Sequence, residues 1–182
     1  SELIEYYQNF VQAHPDYMPG YLWLLDAFLP DRRLREARQT LEAMKKRFNC
    51  YQILLYEGWT RYYEGRFDEA ERVWRTMTET YADNWFAWSS RGDAYAHRAM
   101  YDEAIEMYRE AIRLQERPRF TDNESSIAQL CRLKGDWKGA MEAYARLIDI
   151  LREDWNLTDG EDVRRCKENI EACRRALERA QT

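Results

Sequence analysis

The sequence predicts an all-α fold, made of helix pairs that stack in a row rather than surround one closed core. Three observations predict it. First, an alanine followed four residues later by a large side chain recurs along the chain: Ala37 with Leu41, Ala70 with Trp74, Ala104 with Tyr108 and Ala140 with Tyr144, the alanines 33, 34 and 36 residues apart. Gly58 and Gly92 repeat at 34 residues, as do Phe67 and Tyr101. A period in this range marks two-helix units that bury their apolar faces only against neighbours. Second, only 7 Gly and 4 Pro interrupt 182 residues, which favours long helices joined by short turns. Third, no stretch sustains the period-two alternation of a strand.

The elements follow in order. Residues 1–14 read as a helix with Leu3, Tyr7, Phe10 and Val11 on one side, and Pro15 ends it because the residue before a proline avoids the helical region. Residues 18–29 and 33–47 form a pair around Pro30-Asp31; 51–64 and 67–80 form the next, broken at Gly65. Residues 85–98 and 101–115 follow, then 121–134 and 137–152, broken at Gly135. A final helix from about 159 to 180 starts at Thr158-Asp159-Gly160-Glu161, which has the pattern of a capping box. Its Val163, Cys166, Ile170, Cys173 and Leu177 fall on one stripe, suited to sealing the last pair from water.

The recurring alanines let two helix backbones approach, with the bulky residue one turn on filling the next groove. Gly58 and Gly92 are expected to do the same from the first helix of each pair. Residues 1–14 look like a second helix whose first is missing. Leu3, Tyr7 and Phe10 are therefore expected to lack a partner within the chain and to pack on another copy or on an upstream segment.

Composition narrows the function classes. A net charge of -5 argues against nucleic acid, since phosphate binding needs a basic face. The locally basic Arg32–Arg47 segment is interleaved with Glu36 and Glu42 and reads as a solvated helix face. No apolar run is long enough to span a membrane and no signal peptide is visible, so a cytoplasmic protein is expected. Cys50, Cys131, Cys166 and Cys173 form no C-x-x-C pair, and His14 and His97 are the only histidines, so no metal site or cofactor is expected. Buried, reduced thiols explain the cysteines better. Two formal glycosylation sequons, at Asn123 and Asn156, read as chance. Nothing suggests catalysis: there is no Gly-rich phosphate loop, and neither His97 nor Cys131 has a partner at motif spacing.

The segment Trp88-x-x-Arg91-Gly92-x-x-Tyr95, followed by Ala104-x-x-x-Tyr108, resembles a tetratricopeptide repeat, with Arg91 where that family usually has Leu. Gly58, Gly65, Phe67, Ala70 and Trp74 make a second match; Gly135, Asp136, Trp137, Ala140 and Tyr144 mark a third. The resemblance implies a right-handed α-solenoid: a lone helix at 1–17, a degenerate repeat at 18–50 with Leu25 where Gly is typical, repeats at 51–84, 85–120 and 121–154, and a capping helix at 158–180. It implies a non-catalytic module that binds a peptide or protein on the concave face lined by first helices.

Helical spacing selects the residues that such a face would present. The helix at 51–64 is apolar almost all round, which marks either full burial or a face offered to a partner. Tyr56, Trp59, Tyr62 and Tyr63 are its candidate anchors; the alternative is that these rings pack between helices. Phe86, Asp93, His97 and Gln129 are candidates for orienting the ligand. Asp26, Asp93 and Asp122 make the stripe mildly acidic, favouring a peptide with a cationic or aromatic residue. One subfamily clamps the acidic tail of heat-shock chaperones with Lys, Asn and Arg; here the comparable stripe carries Trp59, Ser89, Asp93 and Gln129, so that activity is not expected. A weaker resemblance, through Ser125-Ser126-Ile127-Ala128-Gln129, Gly135-Asp136-Trp137 and Asp154 to Glu161, is to C-terminal repeat arrays of bacterial helix-turn-helix regulators. It implies a sensory module or a homodimer interface, with the DNA reader outside this chain.

Overall fold

A computed structural model describes residues 2–180. Among them lie ten helices and no strand: α1 (Glu2–Ala13), α2 (Met18–Phe28), α3 (Leu34–Lys45), α4 (Tyr51–Tyr63), α5 (Phe67–Thr80), α6 (Trp85–His97), α7 (Tyr101–Leu114), α8 (Asp122–Lys134), α9 (Trp137–Trp155) and α10 (Glu161–Ala180). The boundaries fall within about three residues of the sequence expectation, at the turns that Pro15, Gly65 and Gly135 mark. Gly135 closes α8 at φ +74, a left-handed cap that frees the chain to turn into α9. No described helix is long and apolar enough to cross a membrane.

The helices divide into two compact units, α1–α5 and α6–α10. Within each, every helix packs on the next in sequence. The repeated alanines sit where the periodicity puts them: Ala37, Ala70, Ala104 and Ala140 are fully buried. Opposite them, a position sixteen residues before the large side chain sets how much room that side chain has. A methyl added at Gly58 would fall on the Trp74 indole; one added at Gly92 would lie 2.7 Å from a ring carbon of Tyr108. Where the large residue is only Leu41, the position holds Leu25, which is fully buried. Small thus meets large and large meets small in these three hairpins, which conserves the volume packed between the paired helices.

Two hydrophobic cores result. In the first unit Ile4, Leu24, Leu25, Phe28, Leu41 and Met44 pack together, with Tyr7, Val11, Trp59 and Tyr63 against them. In the second unit Tyr108, Ile127, Tyr144 and Leu151 join Val163, Cys166 and Cys173 of α10, and Ile170 packs alongside. The apolar stripe of α10 therefore covers α9 as its spacing predicts. Cys131, Cys166 and Cys173 are buried free thiols, and Cys50 is half-buried.

Three expectations need correction. Tyr7 and Phe10 do have partners: the Trp23 ring of α2 lies 5.5 Å from each. Ile4 rather than Leu3 is the buried residue of α1's first turn, and Leu3 stays 55% exposed, because the inward face runs through Ile4, Tyr7 and Val11. The Thr158–Glu161 box does not cap α10 either. The helix begins at Glu161, and Gly160, at φ +114, is the residue whose carbonyl accepts the Arg164 N–H.

A polar groove and the candidate face of the first helices

In the first unit, α4 carries the aromatic candidates. Tyr56 is only 9% exposed, and its hydroxyl donates to the Asp26 carboxylate at 2.6 Å. Burial, then the adjacent carboxylate, pushes the Tyr56 phenol far above its ordinary pKa. Tyr56 is thus committed to the α2–α4 contact. Trp59, Tyr62 and Tyr63 form one ring cluster: Trp59 meets Tyr62 edge-on at 5.5 Å and Tyr63 at 6.3 Å. Trp59 also packs edge-on against the buried Trp74 at 5.0 Å, while all three rings keep part of their surface open. Trp74 is fixed in turn by its indole N–H, which donates to the Leu55 carbonyl at 3.1 Å.

In the second unit, Asp93 accepts the Tyr108 hydroxyl at 2.6 Å. Here too a carboxylate holds a tyrosine hydroxyl, this time within one helix pair, and Tyr108 is likewise pushed well above the usual phenol range by burial and by the carboxylate. Phe86 is 48% exposed and stacks on Trp85, which stacks on Phe120 at 5.4 Å. Phe86 and His97 stand in the first and last turns of α6, so about 16 Å of helix separates them and they cannot hold the same ligand residue. His97 and Gln129 are both exposed.

Gln129 belongs to a groove that sequence reasoning does not assemble, about 440 Å³ in volume. Ser125, Gln129 and Arg132 of α8 form one wall, Asp162, Arg165 and Asn169 of α10 the other, and Tyr144, Leu147 and Leu151 of α9 the apolar floor. The Arg132 guanidinium lies 3.4 Å from the Tyr144 hydroxyl, to which it donates, and Arg165 donates to Asp162 at 2.7 Å. The α10 wall is legible in principle. Asp162, Arg165 and Asn169 follow one another at steps of three and four beside the apolar stripe, as a lining row on one helix face must.

The segment linking α7 to α8 is locked beside this groove. Asp154 accepts from the Arg119 backbone N–H and from both ends of its guanidinium, at 2.8, 2.8 and 3.0 Å. Those bonds hold the Asp154 carboxyl well below the usual carboxylate range. The Trp155 indole donates to the Arg119 carbonyl at 2.7 Å. On α8, Glu124 is 3% exposed; burial pushes its carboxyl up, against the pull of the Arg146 guanidinium at 2.7 Å.

Residues 56–120 match the tetratricopeptide-repeat family model. No curated protein sequence matches the chain. Among solved structures, the chain is similar to TTC0263, a thermophilic tetratricopeptide-repeat protein of Thermus thermophilus (15% identity, 92% of this chain and 88% of that one, TM-score 0.61). It is also similar to BtubC from P. vanneervenii (16% identity, 97% and 81%, TM-score 0.60). A third is YrrB, described as a tetratricopeptide-repeat protein with an unusual peptide-binding site (16% identity, 81% and 75%, TM-score 0.50). At these identities the structures establish a shared fold. The resemblance to helix-turn-helix regulators gains no support from these matches.

Proposed function

Because the chain carries tetratricopeptide repeats and folds as proteins built from them do, we propose that it is a non-catalytic module that holds an extended peptide of a partner protein. The groove between α8 and α10 is the observation that carries this reading. Its volume falls in the range of about 300–1,000 Å³ usual for ligand sites. Its chemistry suits a main chain better than a small metabolite. The Gln129 and Asn169 amides can each both donate and accept, as a peptide backbone requires. Each wall carries both signs, Asp122 and Arg132 on α8 and the paired Asp162 and Arg165 on α10, so the groove has no single sign of charge and favours no simple anion. The apolar floor gives one side chain of the peptide a place to bury.

In the first unit, Trp59, Tyr62 and Tyr63 supply a second contact of a different kind, an aromatic surface on a first helix. Rigid aromatic rings bury much area at little entropic cost, and they suit an aromatic or cationic residue of the peptide. His97 and Phe86 contribute on α6, at separate points along the helix, while Asp93 holds the Tyr108 hydroxyl.

The experiment is selection of a random twelve-residue peptide library on the full chain, followed by titration of the selected peptides. Gln129→Ala with Asn169→Ala should weaken them at least tenfold without moving the melting temperature, because both side chains line the groove and neither is in the core. Trp59→Ala reports on the second contact. Failure to select any peptide, or binding indifferent to both changes, would overturn the proposal.

A further inference from the structure

The surface formed by α1 and α2 departs from the rest of the chain in charge and in chemistry. Residues 1–31 contain Glu2, Glu5, Asp16, Asp26 and Asp31 and no lysine or arginine. Elsewhere many carboxylates pair with an arginine one turn away, as in Arg66 with Glu69 and Arg113 with Glu110. Glu2, Glu5 and Asp16 have no such ion pair among the described residues. Between these carboxylates runs a continuous set of rings. Tyr6 lies 6.4 Å from Phe10, Phe10 lies 5.7 Å from Tyr17 and 5.5 Å from Trp23, and Trp23 lies 5.8 Å from Tyr17. Tyr6 is 60% exposed and Tyr17 46%, while Phe10 and Trp23 are half-buried beneath them. Glu2 stands one turn before Tyr6, and Asp16 directly precedes Tyr17.

No lysine or arginine sits over these rings among the described residues, whereas Arg33 lies over the Phe28 ring and Arg91 over the Tyr95 ring. Ring faces are electron-rich and attract cations, and unpaired carboxylates at both ends of the row add long-range attraction of the same sign. The rings extend in a row and do not close around one point, so the surface suits several cations in succession rather than one small ammonium ion.

We propose that the α1–α2 surface docks an arginine-rich segment of a partner protein, with guanidinium groups stacked on Tyr6 and Tyr17 and paired with Glu2, Glu5 and Asp16. Arginine fits better than lysine because its planar, weakly hydrated group stacks on a ring while its N–H donors reach a carboxylate. This surface shares no residue with the α8–α10 groove, so the proposal stands whether or not the groove binds peptide.

The test is fluorescence anisotropy of the full chain with fluorescein-labelled nona-arginine and nona-lysine at near-physiological salt. Nona-arginine should bind more tightly than nona-lysine. Tyr6→Ser with Tyr17→Ser should weaken nona-arginine at least tenfold while leaving the melting temperature unchanged, since both rings are exposed. Glu2→Gln, Glu5→Gln and Asp16→Asn together should weaken it several-fold and flatten its salt dependence. Equal binding of the two peptides, or binding that survives the tyrosine changes, would reduce the effect to general attraction by an acidic protein and overturn the proposal. A dimer in sedimentation that the tyrosine changes dissociate would also overturn it, by assigning the surface to a second copy of the chain. Changing Gln129 and Asn169 should leave nona-arginine binding intact.

Discussion

Gly58→Ala sets two well-known effects against each other. Helix propensity alone predicts a gain, because alanine inside a helix is favoured over glycine by about 1 kcal/mol. Packing predicts the opposite. The new methyl would coincide with the Trp74 indole, which is fully buried and cannot swing into solvent. Overpacking of this kind costs roughly 1–3 kcal/mol. Moving the indole also lengthens its bond to the Leu55 carbonyl, worth a further ~1 kcal/mol. The net expectation is a loss of about 1–3 kcal/mol, which for a chain of this size lowers the melting temperature by roughly 3–10 °C. Urea denaturation followed by circular dichroism measures it. A second arm isolates the cause: Trp74→Leu alone should be destabilising, but Gly58→Ala should cost much less in that background, because the space is then open. If Gly58→Ala stabilises the wild-type chain, or costs the same with Trp74 and with Leu at that position, helix α4 does not approach α5 as closely as described.

Three further outcomes follow from the same structure. Gly135→Ala should cost about 1 kcal/mol through backbone strain at φ +74 alone, since nothing lies within 4 Å of the new methyl; a larger loss in thermal melts would indicate an unrecognised contact. Asp154→Asn should destabilise at pH 7, where the lowered folded-state pKa makes ionised Asp154 stabilising. That advantage is lost as pH falls below the ordinary aspartate value of about 3.9 toward the lowered one, so the melting-temperature gap between wild type and variant should narrow there; a constant gap down to about pH 2 would contradict the Arg119 pairing. Deleting residues 159–182 uncovers the α9 surface that Val163, Cys166 and Cys173 cover, and light scattering should detect aggregation; a soluble product with an unchanged melt would refute the sealing role of α10.

Most of the fold is legible because a stacked repeat writes its packing into the period. The buried alanines and the glycines opposed to Trp74 and Tyr108 recur at intervals that only helix hairpins explain. The pattern misleads where the repeat is incomplete. In α1 no neighbouring repeat fixes the phase, so the spacing points Leu3 inward where the structure buries Ile4. At α10 the residues carry a capping pattern, but Gly160 takes the turn two positions after Thr158. The tyrosine–carboxylate bonds, 30 residues apart for Tyr56 with Asp26 and 15 for Tyr108 with Asp93, follow no local rule.

The candidate site is less legible for a reason that one register position shows. The residue directly after the close-packed position is Asp26, Trp59, Asp93 and Gln129 in successive hairpins. Its period is as regular as that of the core, but its chemistry is not: two carboxylates, an indole and an amide. Packing constrains a position to be small or large and so produces a readable pattern. A position on the presented face is constrained by whatever it meets, which lies partly outside the sequence. At two of the four hairpins the structure supplies that missing information from within, since Asp26 and Asp93 each hold a tyrosine hydroxyl of the fold. Trp59 and Gln129 remain with surface turned to an open ring cluster and to a groove. The same register thus serves the fold where it carries a carboxylate and offers a contact where it does not, which is why a peptide should be sought first against the indole and the amide.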